Sequence, residues 1–335
     1  MKRFLYIAMA LWLKSTIVLT QPFPIDTVTF RTSEPIISAT YYQGAFYCLN
    51  AQRNITRIDA TGREEPFRSP KVWIETLFTK EGELITWEPL FKGLWQTAYI
   101  EYRYDGTRFR RKGRVKEKNR DLYEDERFEI TASCSGEWGG TFYFKDKTTR
   151  KKYECAANCA IQVQSVDHTY IITTTSSHMF GAAQILRISD PTALQPARKR
   201  AKKRPGTYES KATQGVEILA DSAGIMALTS FRHQGEMYHL LTQPEDWRNH
   251  PAVTCVATGK NGKFKSVQQL GKCLLWRPEN SQEIPCQDGY LLAVTEDESR
   301  HALLIGIANG QITIFRFGQE EENGSVAADD PVVCP

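Results

Sequence analysis

The stretch Leu304-Ile-Gly-Ile-Ala-Asn-Gly-Gln-Ile-Thr-Ile-Phe-Arg-Phe317 decides the fold class. Two apolar runs flank Asn309-Gly310, a dipeptide that tolerates the positive φ angles of a two-residue hairpin turn. Ala98-Tyr-Ile-Glu-Tyr-Arg-Tyr-Asp-Gly106 follows the same grammar, with Ile100, Tyr102 and Tyr104 alternating with Glu101 and Arg103 before an Asp-Gly turn. A period of two puts alternate side chains on opposite faces of a strand.

Similar runs fill the rest of the chain. Thr27-Val-Thr-Phe-Arg31, Ile36-Ile-Ser-Ala-Thr-Tyr41, Ala45-Phe-Tyr-Cys-Leu49 and Ile55 to Ile58 make a first meander, punctuated by Gln43-Gly44 and Thr61-Gly62. A second unit runs from Trp73 to Tyr104. A third holds Phe128 to Ala132 and Thr141 to Phe144, and a fourth holds Thr169 to Thr173 and Gln184 to Ile188. A fifth runs from Val216 past Ile225 to Val253, and the last from Gly289 to Phe317. Units of roughly 45 to 50 residues suit four-stranded propeller blades, and no long stretch has helical spacing. The expectation is an all-β chain, a single β-propeller of about six blades, with paired β-sandwiches or a large barrel as rivals. In architecture the chain resembles exported β-propeller proteins. It carries neither Trp-Asp dipeptides nor a Ser-x-Asp-x-Gly-x-Thr-Trp turn, so the resemblance names no family. A propeller must join its two ends, and Thr27–Arg31 and Gln311–Phe317 are the strands placed to do so.

Lys2-Arg3 followed by the apolar run Phe4 to Leu13 reads as a secretory signal, although Lys14 interrupts it before Ile17-Val-Leu19. The division is a signal peptide over 1–20, a propeller over 21–318 and an acidic tail over 319–335. Secretion or a periplasmic location follows, with no stable membrane insertion after cleavage, because no later segment has the length of a span. All eight cysteines lie beyond the signal, which in an exported chain predicts that most are bridged. Cys255 with Cys273 is the first pairing expected, across the Gly259-Lys-Asn-Gly262 turn. Cys155-Ala-Ala-Asn-Cys159 is the one close cysteine pair, and it lacks a second pair to complete a zinc site. No metal and no cofactor are expected. Asn54-Ile-Thr56 and Asn323-Gly-Ser325 match the glycosylation acceptor pattern.

The net charge of +4 includes Lys2, Arg3 and Lys14; without them 40 basic residues face 39 acidic ones. That balance gives no general attraction for nucleic acid. Two runs are locally basic: Arg108, Arg110, Arg111, Lys112, Arg114, Lys116, Lys118 and Arg120, and Arg198-Lys-Arg-Ala-Lys-Lys-Arg204. Both are poor in aromatics, which argues against stacking of single strands. Either suits phosphate, sulfated glycan or an acidic partner; a solvated loop balanced by nearby acids is the plainer reading.

Three stretches read as aromatic loops. Thr86-Trp-Glu-Pro-Leu-Phe-Lys-Gly-Leu-Trp95 contributes Trp87, Glu88 and Trp95. Ser135-Gly-Glu-Trp-Gly-Gly140 contributes Glu137 and Trp138, and Ser177-His-Met-Phe-Gly181 contributes His178 and Phe180. Aromatic platforms beside carboxylates on a rigid β scaffold suit a glycan or an exported protein. These residues are expected to share one concave face; packing of Trp87 and Trp95 between blades is the competing reading. Catalytic residues are not assigned. A hydrolase or lyase would require carboxylates such as Glu88, Glu137 and Asp167 to converge, and no Gly-x-Ser-x-Gly elbow occurs. A structural surface protein is the third reading.

Overall fold

The computed structural model describes residues 23–91, 97–115, 120–134, 139–176, 181–198, 209–244, 252–278, 281–286, 288–296 and 301–318. Within them, five dipeptides make two-residue hairpin turns, whereas Asp105-Gly106 and Thr61-Gly62, also read as turns from sequence, lie in longer connections with positive φ at the glycine alone. Gln43-Gly44, Glu81-Gly82, Gln234-Gly235, Asn261-Gly262 and Asn309-Gly310 all have positive φ at both positions, the backbone twist that matches flanking strands.

These turns assemble six sheets. Blade one is β2 (Ile36–Tyr42), β3 (Ala45–Asn50), β4 (Ile55–Ile58) and β5 (Glu64–Phe67). Blade two is β6 (Thr76–Lys80), β7 (Glu83–Phe91), β8 (Thr97–Tyr104) and β9 (Phe109–Arg114). Blade three is β10 (Arg120–Glu124), β11 (Phe128–Ala132), β12 (Thr141–Asp146) and β13 (Lys152–Ala156), with β17 (Gln195–Pro196) added to its outer edge. Blade four is β14 (Ala160–Val166), β15 (Thr169–Ser176), β16 (Ala182–Ile188) and β18 (Glu217–Ala223). Blade five is β19 (Met226–His233), β20 (Glu236–Gln243), β21 (Val253–Lys260) and β22 (Lys263–Gly271). In blade six, β23 (Leu275–Trp276) and β24 (Ile284–Cys286) share one edge of β25 (Gly289–Glu296), followed by β26 (Ala302–Ala308), β27 (Gln311–Gly318) and β1 (Ile25–Arg31). The architecture is a six-bladed β-propeller.

Closure uses the chain's two ends, as the sequence suggests. β1 pairs in parallel with β27, from Ile25↔Ile312 to Arg31↔Gly318. Just before it, Phe23 is fully buried with its ring edge-on to Phe231 and Tyr238. The Gln268 amide brackets the Phe23 backbone, accepting from its N–H at 3.1 Å and donating to its carbonyl at 2.9 Å.

Strands near the seams are buried on both faces, which is why they read as continuous apolar runs. On β26, Leu303, Ile305 and Ile307 pack with Leu228, Leu240 and Val256 of blade five, while Ala302 and Leu304 pack with Ile36, Phe46 and Ile58 of blade one. Other clusters join blades one and two, three and four, and four and five. Each such side chain contributes about 1.5–3 kcal/mol by leaving water.

Three expectations fail. Cys255 does not bond to Cys273: Cys255 is a free thiol, while Cys273 is bridged elsewhere. Two register shifts in the β21–β22 ladder set Cys255 opposite Gln269, and the two sulfurs serve different cores, Cys255 beside Ala227 and Leu241, Cys273 beside Leu292. Nor are most cysteines bridged. Cys48, Cys155, Cys255 and Cys286 are free, and burial pushes the Cys155 thiol up to about 12. The described bridge is Cys134–Cys159. Finally, the segment after Val216 does not open blade five. β18 pairs with β16 and completes blade four, after an excursion over 189–216 that lays β17 along blade three.

Candidate functional site

The two ends of the propeller differ, and topology determines how. In a four-stranded antiparallel blade the chain returns to the end at which it entered. The blade-to-blade connections and the second-to-third-strand connections therefore share one end, the loop end. First-to-second and third-to-fourth connections share the other. All five turns named above belong to that turn end. Asp167-His168, with φ 48° and 62°, is another, closing β14 onto β15.

The described flanks of the three aromatic stretches lie at the loop end. The residues 92–96, 135–138 and 177–180, which include Trp95, Glu137, Trp138, His178 and Phe180, lie outside the described residues. Their flanks are the second-to-third-strand connections of blades two, three and four: Phe91 to Thr97, Ala132 to Thr141, and Ser176 to Ala182. Several bonds tie the flanks of blades three and four to the adjoining blade-to-blade connections. Cys134 bonds to Cys159 of the next blade-to-blade connection. Ala157 N–H donates to the Gly140 carbonyl at 3.1 Å, Thr175 N–H to the Cys159 carbonyl at 3.1 Å, and Gly224 N–H to the Gly181 carbonyl at 2.9 Å. Gly140 is obligatory in this knot, because a Cβ there would lie 2.4 Å from the Ser133 carbonyl oxygen and 2.6 Å from that of Ala157.

Trp87 and Glu88 stand on β7 rather than on a loop. Pro89 does not break the strand because β6 ends its pairing at Thr76↔Trp87. Beyond that point β7 has only β8 beside it, through Pro89↔Tyr99, Leu90↔Ala98 and Phe91↔Thr97, so the missing N–H leaves no third strand unpaired. Trp87 is stacked on Tyr99 at 5.0 Å and meets Phe78 edge-on at 5.1 Å, and its indole Nε1 is buried without a hydrogen-bond partner. Glu88 points to the opposite face and accepts a hydrogen bond from the Tyr102 hydroxyl at 2.7 Å. Burial first, and this carboxylate second, raise the Tyr102 phenol above its ordinary range. The hairpin thus begins from a packed aromatic base.

Sequence reasoning missed Trp73, which is 61% exposed in the connection from blade one to blade two. The Arg53 guanidinium lies 4.8 Å from its ring centroid and is pinned by donating to the carbonyls of Ile74 (3.1 Å) and Glu75 (3.3 Å). Both residues sit in loop-end connections, so Trp73 offers a fixed indole face there. The available signal was a tryptophan beside Pro70 in a connector rather than a strand.

The inner strands of blades four, five and six carry a buried polar network. Ser230 is its hub. Its N–H donates to Gln162 Oε1 at 2.7 Å, its carbonyl accepts from Gln162 Nε2 at 3.0 Å and from the Tyr290 hydroxyl at 3.1 Å, and its hydroxyl meets Thr173 Oγ1 at 2.5 Å and His239 Nδ1 at 2.7 Å. Arg277 pairs with Glu283 at 2.8 Å and donates to the Leu228 carbonyl at 2.7 Å. Ser230 and His239 are 0% and 2% exposed, so this serine–histidine pair reaches no substrate and binds blades together. Asp167 at the turn end and Glu88 on the loop-end half of β7 do not converge. Among the described residues, no three His, Cys, Asp or Glu side chains are grouped to hold a metal ion.

No protein-family model matches the chain, and no curated protein sequence matches it. Among solved structures, it is similar to BamB from Moraxella catarrhalis at 9% identity, covering 88% of this chain and 86% of that one, with a TM-score of 0.36. An α-L-arabinanase variant from Cellvibrio cellulosa matches at 11% identity over 85% and 96% of the two chains, TM-score 0.31. A DUF4623 family protein from Bacteroides eggerthii matches at 9% identity over 79% and 68%, TM-score 0.35. At these scores none of the three bears on what this chain binds.

Proposed function

We propose that the chain is an exported binding scaffold without a reaction of its own, which takes a glycan on the loop end of blades two to four. The observation that supports this reading is that the described flanks of three connections, in whose sequence Trp95, Glu137, Trp138, His178 and Phe180 are concentrated, lie at one end of the propeller. Tryptophan supplies a flat apolar surface for a sugar ring, and a carboxylate accepts from hydroxyl donors. The Trp87–Tyr99 stack and the Cys134–Cys159 bridge support it by fixing the roots of two of those connections. Export is supported by the disulfide and by the leader-like first 20 residues. Among the described residues no helix is long and apolar enough to cross a membrane.

The reading is tested by a glycan array and a parallel hydrolysis screen on the chain from Gln21 onward. Binding without release of reducing ends is the expected result. Turnover of a bound glycan would replace it with a hydrolase or lyase. Capture of an exported protein with no glycan retained would make the loop end a protein-binding surface.

A further inference from the structure

The outer edge of blade two has a chemistry unlike that of the loop end. β9 is the last strand of its sheet, paired only with β8. Arg108, Arg110, Arg111, Lys112 and Arg114 are all exposed, whereas a strand with one packed face would hide alternate positions. Among the described residues, the acids of blade two beside them are already committed. Glu101 and Glu83 pair with Arg103. Asp105 pairs with Arg110 and accepts from the Thr107 hydroxyl and from the backbone N–H of Thr107 and Arg108. Arg111 lies beside the Tyr102 phenol. Among the described residues no acid pairs with Arg108, Lys112 or Arg114. The result is a strip of cations whose local counter-charge is spent.

We propose that this strip, Arg108 together with Arg110, Arg111, Lys112 and Arg114 of β9, is a binding site for sulfated polysaccharide. Two features select that ligand. Four of the five cations are arginines, whose planar guanidinium presents paired N–H donors that match an oxyanion such as sulfate. The strip is also a poor template for an added peptide strand. The β8–β9 register shifts between Glu101 and Tyr102, and Gly113 sits at φ 125°, so the edge ladder breaks within the basic run. Elsewhere this fold does accept a fifth strand, β1 on blade six and β17 on blade three, and there the accepting ladders run without a shift. A sulfated chain needs charges in a row, not a continuous backbone ladder. The site is independent of the loop-end aromatics, and the two readings stand or fall on different residues.

The test uses the full mature chain with its disulfides intact and dextran sulfate as probe, with uncharged dextran and poly-glutamate as comparisons, at about 0.15 M salt. Dextran sulfate should bind and dextran should not. Combining Arg108→Ala, Lys112→Ala and Arg114→Ala should weaken binding at least about tenfold and reduce the slope of log Kd against log salt by roughly two to three. The charge-keeping pair Arg108→Lys and Arg114→Lys should still weaken binding by about three- to fivefold, because an ammonium lacks the paired donors of a guanidinium, and binding unchanged in that pair would overturn the selection by arginine. A control that removes three exposed lysines of blade five and its exit, Lys263→Ala, Lys265→Ala and Lys272→Ala, should change binding less than about twofold. Equal losses in the strip variant and the control would reduce the effect to net charge and overturn the proposal. So would absence of dextran sulfate binding, or tighter binding of poly-glutamate, which would assign the strip to an acidic protein.

Discussion

His239 shows how a single residue can couple this fold to pH. Burial pulls its imidazole down to about 4, from about 6.5 in the unfolded chain. Between those values the unfolded state binds a proton that the folded state refuses. The stability from burying a neutral ring is therefore complete above about pH 6.5 and is lost as the pH falls toward 4, at a cost of about 3 kcal/mol. His239→Gln removes that titration while keeping a side chain able to bond to Ser230. Urea unfolding at pH 7 and at pH 4.5 should show the parent losing about 2–3 kcal/mol more than the variant over that interval. An identical loss in both would mean that the ring is not held neutral. None of this was legible in the sequence, where His239 is one histidine in an alternating strand. Its partner Ser230 lies across a hairpin, and the pair is bracketed by Gln162 and Thr173 from another blade.

At the scale of elements, closure was legible and its chemistry was not. Thr27–Arg31 and Gln311–Phe317 read as strands that join the ends, and they do. The seal is made upstream, at Phe23, whose ring and backbone are both engaged by blade five. Phe23→Ala should cost about 3–5 kcal/mol, within the range for emptying a large buried site. Urea denaturation at pH 7 measures it, and a cost below about 1 kcal/mol would mean that β1 alone closes the ring. β7 is the opposite case. Residues 86–95 read as an aromatic loop, yet Thr86 to Phe91 belong to β7 although Pro89 removes a ladder donor. The strand survives because it outruns β6, a property of neighbouring lengths that local sequence does not encode. The failed Cys255–Cys273 pairing has a similar cause: two bulges redirect side chains after a turn that was itself correctly placed.

For the whole molecule, the recurrence of strand-rich units of roughly 45 to 50 residues made about six blades legible, and the hairpin dipeptides mark turns by φ preferences fixed by local sterics. Assignment of β18 to blade four was not, since a strand returning after the excursion over 189–216 leaves no local trace of its partner. The same turns explain the asymmetry between the ends. Two-residue turns cluster at one end, and the flanks of the longer connections of blades two to four lie opposite. The proposed function puts the ligand at this loop end. Its most direct test compares Trp138→Ala with the parent, using the glycan retained on the array, with thermal unfolding followed in parallel. The expected result is a loss of binding of at least about tenfold, the scale of a lost aromatic platform, with Tm shifted by less than about 2 °C. Retained binding together with a marked fall in Tm would make Trp138 a core plug and contradict the claim.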